Sequence, residues 1–479
     1  MKRLELVQLA IVPLLFIGAV LLFTPLRVSF RWDETVYASQ ISLHTPMQWG
    51  PERARGLPLL AAPLTMLSTS ITLLRAYLAV MAGIGMYLAS LAWRGMRATW
   101  VIVLATAIFA GLAVTQSYAS LLYPNYWAAI GALATLGLTV RVTKARSPRD
   151  LLLLAVAVAL TGLIRPADAI ALCLPITVVV TVVSRKESWR ALAAIAGGLA
   201  IALGEWLAES LMYFGGVSSR LHLATLASGG SRFDPLNNLR VLGGGGTAPP
   251  SGYAGPLPWT QPYLLIWWGA FFFLAILGVW VARRQDGWLL AALPLICAAS
   301  IYVLYSFPVL DSARYLLPAW ALLSIPVADG AVWLLKQGGM VRAAALATVT
   351  TFVVAELISQ HTLVVTHSAE LVADAHRSDR VVSALRRIDI DPPCVVTTVP
   401  LKRGYTGVSE TAAYFLGCSF YKNINNVGLA PRDRIIVLVH GKQKPWAYAV
   451  NWRKRWAGSI VAYIQPWHKD GQVSGGPNG

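Results

Sequence analysis

Long stretches of this chain carry almost no charge, and many run close to the roughly 20 residues that a helix needs to cross a hydrocarbon layer. Backbone polar groups cannot go unpaired in lipid, so such stretches are helices or strands of a closed barrel. Their length and lack of alternation exclude the barrel. Composition agrees: of 479 residues, 56% are hydrophobic and 13% charged, about half the charged share of a soluble globular protein. Hydropathy puts spans at 6–26, 75–93, 98–115, 121–141, 150–164, 167–184, 191–213, 261–282, 288–307, 313–335 and 341–365, about 11 in all. Residues 57–74 are also apolar but open on Pro58 and Pro63, which predicts a short helix on the outer surface rather than a span.

The net charge is +18, from 40 Lys+Arg against 22 Asp+Glu. In a soluble protein that excess would suggest nucleic acid. Here the basic residues sit in the short connections between apolar runs, and no nucleic-acid-binding signature accompanies them. With Lys2 and Arg3 in the cytoplasm, every inner connection is basic: Arg94 and Arg97; Arg141, Lys144, Arg146 and Arg149; Arg185, Lys186 and Arg190; Arg283 and Arg284; Lys336 and Arg342. That is the positive-inside pattern of a multi-pass plasma-membrane protein. The N-terminal run reads as a retained span, because no small-residue cleavage site follows it.

This topology leaves outer loops at 27–74 and 214–260 and a tail, 366–479, outside the cytoplasm. The expected division is a transmembrane module, 1–365, and an extracytoplasmic α/β domain, 366–479, with a disordered end. In the tail, residues 370–388 read as helix, and Cys394–Val399 and Arg434–His440 read as strands rich in Val and Ile. Residues 445–468 hold four tryptophans among basic residues, a mix suited to lipid headgroups. Cys173 and Cys297 fall in apolar runs and read as packing residues. Cys394 and Cys418 lie in the tail, where an oxidising compartment would pair them as a disulfide.

The first outer loop opens with Arg31-Trp32-Asp33-Glu34-Thr35-Val36-Tyr37-Ala38. Two adjacent carboxylates just beyond the membrane are candidates for acid–base work, because desolvation makes a carboxylate a better base. Local composition alone also allows an ordinary solvated turn or helix start. Glu205 and Glu209 are spaced i,i+4 and so share a helix face within a span. Intramembrane carboxylates are functional candidates; Glu209 is nearer the outer end, and pairing with an arginine is the structural alternative.

The acidic pair after the first span, the loop Arg55-Gly56-Leu57-Pro58-Leu59-Leu60, and the outer tail together resemble the GT-C-fold glycosyltransferases that use polyprenyl-phosphate sugars. The layout is most similar to the branch of protein O-mannosyltransferases and lipid A aminoarabinose transferases. Leu122-Tyr123-Pro124-Asn125, Arg165-Pro166, Arg314-Tyr315-Leu316-Leu317-Pro318 and Tyr414-Phe415-Leu416-Gly417 recur in the same order as similar family segments. The resemblance implies that Asp33 is the general base on the acceptor hydroxyl and that Glu34 orients the acceptor or a cation. It implies a polyprenyl-phosphate sugar donor whose phosphate needs cations, with Arg55, Arg165 and Arg314 as candidates. Asp168 and Asp311 are near enough in sequence to pair with Arg165 and Arg314 instead. It also implies inversion at the anomeric carbon and leaves open a divalent cation, held by Asp33, Glu34 and a third acid. The family pattern gives Glu205 and Glu209 no role. Two other classes fit the layout less fully: a lipid-linked-sugar transporter or flippase, which would use mid-membrane charges such as Glu205, and a non-catalytic envelope scaffold, in which Asp33 would be dispensable. The Ala, Leu, Gly and Arg content suits a GC-rich bacterium, which makes a cell-envelope glycan, glycolipid or protein the expected acceptor.

Overall fold

The computed structural model of the protein describes residues 2–47, 50–145, 147–184, 188–227, 230–242, 264–307, 313–340, 342–343, 346–347, 350, 372–373, 376–387, 394–398, 408–421, 434–440, 445, 449–457 and 460–465. These form two compact units. One comprises Met1–Thr24, Pro51–Leu57 and Leu78–Val365; the other comprises Pro25–Gly50, Pro58–Tyr77 and Thr366–Gly479. Segments of the expected first outer loop, Pro25–Gly50 and Pro58–Tyr77, cluster with Thr366–Gly479.

The helices in chain order are α1 (Lys2–Phe23), α2 (Trp32–Ser39), α3 (Gly56–Thr65), α4 (Ile71–Ala92), α5 (Thr99–Gly111), α6 (Ala113–Ala119), α7 (Pro124–Ala145), α8 (Pro148–Ile164), α9 (Pro166–Ser184), α10 (Ser188–Tyr213), α11 (Val217–Ala227), α12 (Pro235–Leu242), α13 (Leu264–Asp286), α14 (Trp288–Leu304) and α15 (Leu317–Leu335). A 3-10 turn, Ala313–Leu316, leads into α15. Among the described residues, seven helices are long and apolar enough to cross a membrane, and the bent pair α5–α6 makes an eighth. Helices α8 and α14, both expected spans, have 17 residues each. The expected last span, 341–365, lies largely outside the described residues. Residues 57–74 hold only the ten-residue α3 and the start of α4.

The span expected at 98–115 is not straight. It breaks at Leu112, which is extended (φ −65°, ψ 129°), and the two halves differ in direction by 77°. A break in a buried helix frees carbonyls that need donors. Gln116 supplies one: its Nε2 donates to Ala110 O at 3.2 Å.

In the helical unit α15 is central. Its apolar window is 94% buried, against 22% for α1, because α5, α7, α13 and α14 pack around it. A helix apolar on every side needs such a shell. Small residues let the backbones meet. A methyl group added at Gly278 of α13 would lie 1.7 Å from the Pro326 carbonyl oxygen of α15, and one at Gly330 would lie 2.3 Å from Leu274 O.

The second unit contains a five-stranded mixed sheet. Its strands are β1 (Cys394–Thr398), β2 (Ser419–Tyr421), β3 (Arg434–His440), β4 (Arg453–Ala457) and β5 (Ile460–Ile464), in the order β2-β1-β3-β5-β4. β1 runs parallel to β2 and β3; β5 runs antiparallel to β3 and β4. Both faces of the central strands are covered, so β3 and β5 read as continuous apolar runs. Helix α16 (376–386) and α17 (Val408–Leu416) contribute Val381, Leu385 and Ala412 to one face. Cys394 and Cys418 form the expected disulfide, joining the start of β1 to the residue before β2.

Two stability predictions follow from this packing. Gly278→Val drives a side chain into the backbone of α15 and should cost at least about 2 kcal/mol; thermal unfolding in detergent should show a lower midpoint, and an unchanged midpoint would contradict the close approach. Replacing Cys394 and Cys418 by serine opens a loop with a sequence separation of 24, which should cost about 3 kcal/mol on the chain-entropy model. Intact-mass analysis after alkylation should find no free thiol at either position in protein folded outside the cytoplasm.

Candidate active site

Asp33 and Glu34 occupy the first turn of α2, in the second unit. They are adjacent but differently placed. Asp33 is half-buried, whereas Glu34 is 1% exposed. A carboxylate that deep needs donors, and Arg75, also 1% exposed, provides them. Arg75 Nη1 donates to Glu34 Oε1 at 2.8 Å and Nη2 to Oε2 at 3.1 Å, a forked pair. Glu34 Oε2 also accepts from the Arg31 backbone N–H at 3.3 Å, capping the start of α2. Glu34, expected to orient the acceptor or a cation, is therefore committed to Arg75. No three of His, Cys, Asp and Glu come together as metal ligands among the described residues. Both Glu34 oxygens face the Arg75 guanidinium.

The segment leading into α2 is tied down within the same unit. Ser29 and Ser378 hydroxyls meet at 2.7 Å, and Arg27 pairs with Asp379 at 2.7 Å. Thr411 Oγ1 of α17 donates to Phe30 O at 3.2 Å, and the Phe30 ring meets Tyr414 edge-on at 5.0 Å. Burial pushes the Tyr414 phenol up, with a Ser42 hydrogen bond opposing it.

In the helical unit, Arg165 and Arg314 converge on one ring. The Arg165 guanidinium carbon lies 5.2 Å from the Tyr305 centroid and 5.4 Å from that of Tyr315. Arg314 lies 5.1 Å from Tyr315, 4.5 Å from Tyr123 and 5.9 Å from Tyr118. Tyr305 and Tyr315 stack at 4.9 Å with planes 3° apart. Asp168 pairs with Arg165 at 3.2 Å, as sequence proximity suggested, and accepts a hydrogen bond from the Tyr305 hydroxyl. Asp311 lies outside the described residues. Two cations over aromatic faces suit an anionic group such as a phosphate.

Arg55 sits elsewhere in this unit, in a separate charged cluster. Its Nε donates to Glu209 Oε1 at 2.7 Å. Glu209 Oε2 accepts from Arg220 Nη2 at 2.6 Å, and Arg220 is fully buried. Arg220 also donates to Pro51 O at 2.9 Å and Arg53 O at 2.6 Å, so it fixes the backbone that carries Arg55. A methyl group at Gly56 would meet Leu163 C at 2.7 Å, so the same loop presses on the end of α8. Glu209, expected near the active-site cavity, is the counter-ion of two arginines. Sequence reasoning missed Arg75, Arg220 and Tyr305. No local signal marked them; Arg75, four residues into an apolar helix, reads as an ordinary snorkelling charge.

The fold is that of the GT-C membrane glycosyltransferases. ArnT from Cupriavidus metallidurans is similar in its apo state with a TM-score of 0.57 at 12% identity, over 96% of this chain and 97% of that one. The same ArnT bound to undecaprenyl phosphate gives 0.53 at 13% identity, with the same coverage. The archaeal oligosaccharyltransferase AglB from Archaeoglobus fulgidus, in complex with an inhibitory peptide and a dolichol-phosphate, gives 0.50 at 14% identity, over 92% of this chain and 69% of that one. No protein-family model matches the chain, and no curated protein matches it in sequence.

Glu209→Gln leaves Arg220 buried against a neutral group and should destabilise the protein by about 3–5 kcal/mol. Thermal unfolding of the purified variant checks this, and a change below about 1 kcal/mol would mean that the cluster is not desolvated as described.

Proposed function

We propose that this multi-pass membrane protein is a glycosyltransferase that moves a sugar from a polyprenyl-phosphate donor to a hydroxyl of an extracytoplasmic acceptor, with Asp33 as general base. The observation that carries this reading is the division of the acidic pair. Glu34 is neutralised by Arg75, while Asp33, one residue earlier on α2, is only half-buried. The acceptor oxygen attacks the anomeric carbon as its proton passes to Asp33. The bond from that carbon to the phosphate oxygen breaks, and polyprenyl phosphate departs with the bonding electrons. A single in-line attack inverts the anomeric centre.

Arg165 and Arg314 are the proposed cations for the leaving phosphate, whose charge grows as the bond breaks. The undecaprenyl phosphate in the ArnT structure supports a lipid phosphate as the carrier. In this reading Glu209 is a structural acid, and Arg55 braces its loop rather than the lipid. The basic inner connections support a cytoplasmic N-terminus and an outer C-terminal domain. A cell-envelope glycan, glycolipid or protein is the proposed acceptor.

The test is transfer by purified protein in proteoliposomes supplied with a panel of undecaprenyl-phosphate monosaccharides. Asp33→Asn should lower turnover by about 10²–10⁴-fold at normal folding and donor binding. Full activity in that variant would end the proposal for Asp33. Arg314→Ala should raise the donor KM as well as lower kcat, because it loses contacts made in both ground and transition states.

A further inference from the structure

Arg75 was placed by nothing in the sequence pattern, yet it is among the most deeply buried charges of the second unit. It stands near the start of α4 and reaches the segment that carries Asp33. Its two terminal nitrogens grip both oxygens of Glu34. Nη2 also lies 3.5 Å from the carbonyl oxygens of Val28 and Ser29, the residues before the turn into α2. The Phe30 ring lies 5.9 Å from its guanidinium carbon. Phe30 is in turn held by Tyr414 and Thr411 of α17.

These contacts bracket Asp33 on both sides. Val28, Ser29 and Phe30 precede it, and Glu34 follows it directly. Glu34 also closes the first turn by accepting from the Arg31 N–H, so the backbone that bears Asp33 has little freedom left. We propose that Arg75 is a positioning residue for the base: through the Glu34 carboxylate and the carbonyls of 28 and 29, it sets where Asp33 stands. This rests on Asp33 as the base. It differs from a donor-binding role, because the Arg75 fork is spent on a carboxylate of the same chain.

The fork is what matters, so a lysine in its place keeps the charge and loses the geometry. Three full-length variants, Arg75→Lys, Arg75→Met and Glu34→Gln, should be compared with wild type and Asp33→Asn in proteoliposomes. Rates are taken per folded molecule, with the Cys394–Cys418 disulfide verified by mass. Misplacing a reacting group by about 1 Å costs about a hundredfold. Arg75→Met and Glu34→Gln should therefore lower kcat by about that factor and Arg75→Lys by about tenfold, with donor KM within about twofold of wild type. Peptide-resolved hydrogen exchange gives a readout independent of turnover: α2 amides of Arg75→Lys should exchange at least about tenfold faster, while β3 amides stay unchanged.

Unchanged kcat in the folded Arg75 variants, with Asp33→Asn inactive, would overturn the proposal and leave the base standing. A raised donor KM at unchanged kcat would overturn it by assigning Arg75 to the lipid phosphate. Unchanged exchange in α2 would overturn it without reference to activity. An active Asp33→Asn would remove the base itself, and the positioning role with it.

Discussion

A charge taken out of water needs an opposite charge and a full set of hydrogen bonds, and this chain meets that demand repeatedly. Asp286, at the end of α13, is almost wholly buried; it accepts from Arg97 at 2.5 Å and from Lys144 of α7. Arg97 sends its Nε to Asp329 of α15 at 2.7 Å. Burial works against the charge on Arg97, but Asp329 and Asp286 outweigh it and raise its pKa. One cluster thus joins a loop and three helices. The pairs Glu34–Arg75 and Glu209–Arg220 obey the same constraint in other segments. In a chain with so few charges, each buried one acts as a fixed point for the backbone around it.

The arginines assigned to chemistry have aromatic neighbours as well: Arg165 and Arg314 lie near tyrosine rings, and Arg165 is also paired with Asp168. Asp33 stands half-buried in the first turn of α2, beside the Glu34–Arg75 pair.

Hydropathy alone located most of the helices, because a run of uncharged residues near span length has few alternatives. It could not see the break at Leu112, which depends on one extended residue and on Gln116 as a local donor. The strands of the tail were legible from Val and Ile at β1 and β3, and the disulfide from the placement of Cys394 and Cys418. Asp33 was legible from its place after the first span. Arg75 was not, since a lone arginine at the start of a helix reads as a snorkelling side chain. Arg220 was hidden for the opposite reason: hydropathy puts it in an outer loop, where a charge is ordinary, whereas it stands buried on α11. The Tyr305–Tyr315 stack joins the end of α14 to the turn before α15, and no local pattern encodes it.

The second unit draws on both ends of the chain, and this bears on the order in which the molecule can be completed. Phe30 and Thr411 are hydrogen-bonded across 381 residues. A ribosome releases Phe30 long before Thr411 exists, and contacts this distant in sequence form late. The segment that bears Asp33 must therefore wait while the intervening helices are made. Only when the final quarter of the chain has emerged can Ser378, Asp379, Thr411 and Tyr414 close on it. A nascent or truncated chain would hold its helices without its finished acidic turn, so the proposed activity would be withheld until synthesis ends.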